Sequence, residues 1–233
     1  DTRAGIANVS VGQAIVNGTL IDIANLGKTT VHMFGVPVSM TLSSDRVSLP
    51  ADGTSYATLT VVLKDAQGNP IVTDPARDDD NIRFTTTNGT LKKADGTDLP
   101  IYGIDTDQNG TATVRLVAPF VPGVATVTAT VVRDGVATTA QQTINFNPLA
   151  VRVVANPQVI SADGASTALI SAFLSDAITG EPVAQGTLVT FATTLGDITT
   201  QDEAPDIAGI QVSVKGYDGQ VTATLQSGNV PGV

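Results

Sequence analysis

Ala57-Thr58-Leu59-Thr60-Val61-Val62-Leu63-Lys64 is the stretch whose reading decides the fold. Ala57, Leu59, Val61 and Leu63 alternate with Thr58, Thr60, Val62 and Lys64. Period two with Thr and Val enrichment is the pattern of a strand that buries one face. The same inner set returns as Ala168, Ile170, Ala172 and Leu174. Ala125, Val127, Ala129 and Val131 alternate in the same way with Thr126, Thr128 and Thr130. Between such runs stand Asn17-Gly18, Asp52-Gly53, Asn88-Gly89, Asp95-Gly96, Asn109-Gly110, Asp134-Gly135, Asp163-Gly164 and Asp218-Gly219. These dipeptides supply the positive φ of tight turns. No stretch of ten or more residues has helical periodicity, so the pattern predicts all-β sandwiches.

The chain also repeats itself. Pro50-Ala51-Asp52-Gly53 returns as Ser161-Ala162-Asp163-Gly164, a shift of 111. Phe84 to Leu91 returns as Phe191 to Ile198, a shift of 107, and Asn109 to Val114 returns as Asp218 to Ala223, a shift of 109. The first copy carries extra residues around Asp78-Asp79-Asp80, where an insertion belongs in a loop. Gly5 to Val11 reads as a version of Gly110 to Leu116 and of Gly219 to Leu225. Lys28 to Phe34 resembles the run ending at Phe146. Three units follow: 1–37 as the last strands of a preceding repeat, 38–147 as a complete one, and 148–233 as one lacking its last strands. The joint Asn147-Pro148-Leu149-Ala150 is short and its proline limits bending, which predicts a rod-like tandem array.

Composition narrows the function. With 233 residues the chain suits two domains, and 42% apolar residues suffice for real cores. Aromatics are 4% with no Trp, so no platform for stacking bases or sugars is available. A net charge of −10 repels phosphate backbones and anionic lipid, which argues against nucleic acid as a partner. No run of about 18 apolar residues exists to insert this segment in a membrane. One His and no Cys leave no His-based triad, no thiol nucleophile and no zinc-thiolate site. The opening Asp1-Thr2-Arg3-Ala4-Gly5 is neither a leader nor a start methionine and reads as the front of an excised or mature piece.

An ordered series of segments resembles a known family. Ala51-Asp52-Gly53 and a Thr-rich strand are followed by Asp65-Ala66-Gln67-Gly68-Asn69-Pro70 and by Phe84 to Leu91. Then come Asp107-Gln108-Asn109-Gly110-Thr111-Ala112-Thr113-Val114 and Pro122-Gly123-Val124-Ala125-Thr126-Val127. Together they resemble the bacterial immunoglobulin-like group 1 domain of invasin- and intimin-type adhesins. The resemblance implies tandem immunoglobulin-like β-sandwiches, displayed extracellularly or on the bacterial cell surface, that project a binding tip. It implies no catalytic residues.

Candidate chemistry is sparse. Asp78, Asp79 and Asp80, with Asp74 and Asn81 nearby, are candidate calcium ligands, and Asp202, Glu203 and Asp206 form a second acidic group. Neither forms an Asp-x-Asp-x-Asp-Gly loop, and a solvated acidic loop is the simpler reading. No other cofactor is expected. His32, aligned through Phe34 with Phe146, falls opposite Ile144 at an inward position. Asn8, Asn17, Asn88 and Asn109 begin glycosylation sequons, three of them being turns that lead into a Thr strand. Lys64, Lys92 and Lys215 raise the thought of isopeptide links, which are not expected because Lys64 alternates outward and its repeat partner is Ser175.

The reading is therefore not an enzyme. It is a structural stalk or fibre segment whose partners are neighbouring repeats or copies of itself end to end. The alternative is a receptor- or glycan-binding adhesion module, for which Tyr56, Tyr102 and Phe120 are the few exposed-patch candidates. The half-units at the two ends are either completed covalently in a longer chain or exchanged between chains. Gly5–Val11 and Gly219–Leu225 read as the same strand, a duplication that an exchange does not need, so the sequence favours the first.

Overall fold

The computed structural model describes the backbone of residues 5–16, 19–33, 37, 39–73, 81–133 and 135–232, and the side chains of those from 37 onward. Every regular element among them is a strand. β1 (Gly5–Val16) and β2 (Thr19–Met33) form a two-stranded antiparallel hairpin. Eight strands follow: β3 (Ser39–Ser44), β4 (Ser48–Pro50), β5 (Tyr56–Lys64), β6 (Arg83–Thr86), β7 (Thr90–Lys93), β8 (Thr111–Val117), β9 (Gly123–Arg133) and β10 (Val136–Asn147). They make two four-stranded sheets, ordered β3-β5-β8-β7 and β4-β10-β9-β6. The alternation that predicted β5 and β9 is the one that closes the core. Leu59, Val61 and Leu63 face Val127, Ala129 and Ile144, all fully buried, with Val114 and Leu116 beside them. The fold is the immunoglobulin-like β-sandwich that the sequence implies.

β10 ends at Asn147 and β11 (Leu149–Asn156) begins two residues later, so the joint shrinks to Pro148. β12 (Thr167–Asp176), β13 (Leu188–Phe191), β14 (Asp197–Ile198), β15 (Ile210–Ser213) and β16 (Gln220–Gln226) follow. The sheet β11-β12-β16-β14 repeats β3-β5-β8-β7 strand for strand. The repeated turn before β8 and β16 is forced by glycine. Gly110 (φ 69°) and Gly219 (φ 66°) are left-handed, and a Cβ would lie 2.6 Å from the Leu63 carbonyl oxygen and 2.2 Å from that of Leu174.

The facing sheet differs. In the first sandwich β6 pairs with β9 on one edge, and a single bridge joins Ile82 to Ile104. In the second, that bridge has grown into the β13–β15 pair, where Val189 meets Val212. Among the described residues no strand takes the place of β9 or β10. Leu149, Ile170, Val189, Ile198 and Ile210 accordingly remain only partly buried around the core of Ala172, Leu174, Phe191, Val214 and Val221.

The hairpin corrects two sequence alignments. β1 and β2 are paired from Gly5↔Met33 to Val16↔Thr19, with a register shift between Val11 and Gln13. That is the plan of β9 and β10, paired from Gly123↔Phe146 to Arg133↔Val136. Gly5-Ile6-Ala7-Asn8-Val9-Ser10-Val11 is thus the counterpart of Gly123-Val124-Ala125-Thr126-Val127-Thr128-Ala129, not of β8. The register also gives the place of Ile144 to Val31, and His32 takes that of Asn145. A slip of one residue exchanges the two faces of a strand, so His32 moves from an inward to an outward slot. Its side chain lies outside the described residues.

Candidate functional site: the junction of the two sandwiches

Four buried polar residues, Asp52, Asn147, Asp176 and Thr187, gather where the second sandwich meets the first. Asp52 begins the Asp-Gly turn after β4. Its Oδ1 accepts the backbone N–H groups of Thr54 (2.9 Å) and Ser55 (2.7 Å), and its Oδ2 accepts the Ser55 hydroxyl at 2.7 Å. A short side chain that takes its own downstream N–H groups is the usual reason for Asp at such a turn. Here the second oxygen reaches further. It also accepts the Ala184 N–H and the Thr187 hydroxyl of the second sandwich, each at 3.3 Å. Asp52 and Thr187 are 2% and 3% exposed, so these bonds sit away from water.

A second set of bonds clamps the joint itself. The Asn147 amide donates to the Ser48 hydroxyl (2.5 Å) and to Asp176 Oδ2 (2.8 Å). Asp176 Oδ1 takes the N–H groups of Ile178 and Thr179. The Pro148 carbonyl accepts the Ala177 N–H at 2.8 Å. Burial pushes the Asp176 carboxyl up, but the N–H groups of Thr179 and Ile178 and the Asn147 amide outweigh it and hold the group below its ordinary 3.8. Arg46 and Glu181 face one another at 4.0 Å on the rim, both well exposed, and contribute little.

Next to these bonds runs a groove lined by residues of both sandwiches, among them Arg46, Tyr56, Glu181, Gln185 and Tyr217. Arg115 lies over the Tyr56 ring at 4.3 Å, and Tyr217 is 86% exposed. Of the three aromatic candidates, only Tyr56 lines this groove. Phe120 covers Gly53, where a Cβ would come within 2.3 Å of its ring, and Tyr102 stands exposed in the turn before Ile104.

The other candidates scatter. Asp78, Asp79 and Asp80, with Asp74, lie outside the described residues, and the described ones hold no cluster of three metal-ligating side chains. Asp202 and Glu203 turn to their own chain. Asp202 accepts the N–H groups of Ala204 and Gln211, and Glu203 takes the Ser213 hydroxyl and the Lys215 ammonium. Lys92 pairs with Asp98. Asn88 and Asn109 precede left-handed Gly89 and Gly110, as the turn reading requires. No sequence signal singled out Asn147, Asp176 or Thr187. Asp52 stood in the repeated Ala-Asp-Gly motif, which marks a turn without saying which way its second oxygen points.

The low carboxylates set an acid limit. Asp176 is one, and Asp163 is another, held far down mainly by the Ser166 and Ala165 N–H groups. A group whose folded pKa is depressed adds stability above its unfolded value, and that share is lost as pH falls through the folded pKa. Urea midpoints are therefore expected to stay level down to about pH 5 and to drop steadily below the unfolded value of 3.8. A midpoint unchanged from pH 6 to pH 2.5 would contradict these assignments.

Residues 37–149 match the family described as invasin, domain 3. No curated protein sequence matches the chain. Among solved structures, the D0-D1 domain of intimin is 22% identical, over 84% of this chain and 87% of that one, with a TM-score of 0.35. Invasin, titled a bacterial integrin-binding protein, is 23% identical over 99% of this chain and 41% of its own, with a TM-score of 0.40. The Yersinia pseudotuberculosis adhesin InvE is 20% identical over 82% and 51%, with a TM-score of 0.35. The chain thus spans about half or less of the latter two.

Proposed function

We propose, from residues 37–149 being an invasin-type bacterial immunoglobulin-like domain, that this chain is a stalk segment of a cell-surface or secreted adhesin-like protein. The observation that carries the reading is the junction. A one-residue link alone would leave two sandwiches free to swing. Here four hydrogen bonds across the joint, some of them buried, oppose bending: those to Asp52 from Ala184 and Thr187, the Asn147–Asp176 pair, and Pro148–Ala177, while Asp176 accepts two more that stiffen its own turn. Bonds to a buried carboxylate contribute about 1.5–3 kcal/mol each when formed. A spacer needs that stiffness.

Nitrogen-15 relaxation of the chain tests this. The sandwiches are expected to tumble as one elongated body, sharing one rotational tensor. Separate correlation times for 39–147 and 149–226 would reject the stalk reading. A second reading, an adhesion module, draws on the groove with Tyr56 and Tyr217, since exposed tyrosines beside Arg and Glu suit a receptor or glycan. Beads coated with the chain distinguish the two: cell binding abolished by Tyr217→Ala would favour adhesion.

A further inference from the structure

We propose that the groove beside the joint is a binding site for a neutral saccharide, gripped by both sandwiches at once. This goes beyond the stalk reading. It rests on the groove that the adhesion reading uses, and it commits that reading to one class of ligand.

Composition argues against a sugar platform, with aromatics at 4% and no Trp. The fold offsets this by placement. Two of the three tyrosines, Tyr56 at the start of β5 and Tyr217 in the turn before β16, come from different sandwiches and line one groove of about 510 Å³. Sites for small ligands occupy roughly 300–1,000 Å³. Arg115 over the Tyr56 ring holds that ring in place, and Tyr56 still exposes 42% of its surface. Gly219, whose carbonyl accepts the Leu174 N–H at 2.9 Å, anchors the turn that carries Tyr217. A tyrosine offers an apolar ring to the C–H face of a sugar and a hydroxyl at its tip.

The polar groups of the groove are of mixed kind and partly pinned. Asp45 donates its N–H to the Thr58 carbonyl (3.1 Å) and takes the Thr58 N–H on Oδ1 (2.7 Å), so the corner bearing Asp45 and Arg46 is tied to β5. The Gln185 amide donates to the Lys215 carbonyl at 2.7 Å, which leaves its oxygen to accept. Glu181 stands 4.0 Å from Arg46, too far for a hydrogen bond that would use both groups up. The groove thus offers guanidinium N–H groups and tyrosine hydroxyls as donors beside carboxylate and amide oxygens as acceptors. A ligand that uses such a set must carry closely spaced groups that both donate and accept, as the hydroxyls of a sugar ring do.

Charge selects further. Asp45 and Glu181 offset Arg46 and Arg115, and the chain's net −10 repels anions, so a neutral sugar suits the groove better than an acidic one. A proline-rich peptide could also stack on tyrosines. Its proline nitrogens carry no N–H for Asp45, Glu181 and Gln185 to accept.

Amide-shift titration of the chain with lactose, N-acetyllactosamine, mannotriose and chitotriose, each at millimolar concentration, tests this. At least one of these sugars is expected to shift the amides of Asp45, Arg46, Tyr56, Glu181, Gln185 and Tyr217 together. Arg46→Ala and Tyr217→Ala, one in each sandwich, should each weaken that binding about fivefold or more. Tyr102→Ala, whose ring is exposed away from the groove, should leave it unchanged. Sialyllactose should bind more weakly than the best neutral sugar. No response to any of the sugars, shifts confined to one sandwich, binding indifferent to both groove variants, or tighter binding of sialyllactose would each overturn the proposal. So would a groove response to a polyproline peptide alone. Sugar binding without cell capture by chain-coated beads would keep the site and reject adhesion. Cell capture that depends on Tyr217, with no sugar response, would reject the saccharide and keep adhesion.

Discussion

Leu59→Ala is expected to destabilise the first sandwich by about 3–5 kcal/mol. Leu59 is fully buried in the middle of β5, between Ala57 and Val61 on the same face, and the opposite sheet closes over it with Val127 and Ala129. Truncation forfeits the transfer free energy of three carbon atoms. It also leaves a cavity that neighbours held in two hydrogen-bonded sheets cannot collapse to fill. Since a domain of this size has about 5–15 kcal/mol in all, the loss is a large share. The repeat offers an internal comparison. Leu174→Ala removes the same atoms from β12, but Leu174 is 6% exposed and its core is covered on fewer sides, so the cost should fall to about 2–3 kcal/mol. Urea unfolding followed by a probe in each sandwich measures both. A Leu59→Ala cost below about 1 kcal/mol would mean that the two sheets do not pack as described.

The contrast between these two leucines shows which properties were legible in the sequence. Alternation along β5, β9 and β12 is a local property. It identified Leu59, Val127 and Leu174 as inward because a strand leaves each side chain only two directions. The Asp-Gly and Asn-Gly turns were equally local, since a left-handed residue such as Gly110 needs no distant partner to betray it. What the sequence hid was relational. Asp52 meets Thr187 across 135 residues, and nothing in either neighbourhood announces the other. The expansion of the Ile82–Ile104 bridge into the β13–β15 pair depends on which edge of β6 is already taken. The placing of Gly5–Val11 failed for a related reason. Alternating Val, Ala and Thr occur in β8 and β9 alike, so similarity alone could not separate them. Pairing did, because Gly5 meets Met33 as Gly123 meets Phe146.

Asp52 offers the other large effect, because two substitutions there separate its two roles. Asp52→Ala removes every acceptor at once. The N–H groups of Thr54, Ser55 and Ala184 and the Ser55 hydroxyl lose their acceptor at a site almost closed to water, while the Thr187 hydroxyl keeps the Ala184 carbonyl. Each buried donor left unsatisfied costs about 1–3 kcal/mol, less where water can reach it, so a total of about 3–4 kcal/mol is expected. Asp52→Asn is nearly isosteric and behaves differently. Its one remaining oxygen is best kept at the Oδ1 place, where two backbone N–H groups converge and cannot turn away. The amide nitrogen then occupies the Oδ2 place and confronts the Ala184 N–H donor to donor. The Ser55 and Thr187 hydroxyls can rotate to accept from it, but the backbone N–H cannot. The turn of the first sandwich should therefore survive with a loss of about 1–2 kcal/mol, while the contact between sandwiches weakens. The expected outcome is that Asp52→Asn lowers the first sandwich's urea midpoint by about half as much as Asp52→Ala or less, and gives the two sandwiches unequal correlation times in relaxation measurements. If both variants left the tumbling of the two sandwiches coupled, the rigidity of the joint would have to reside in Asn147, Pro148 and Asp176 alone, with Asp52 reduced to a turn former like its counterpart Asp163.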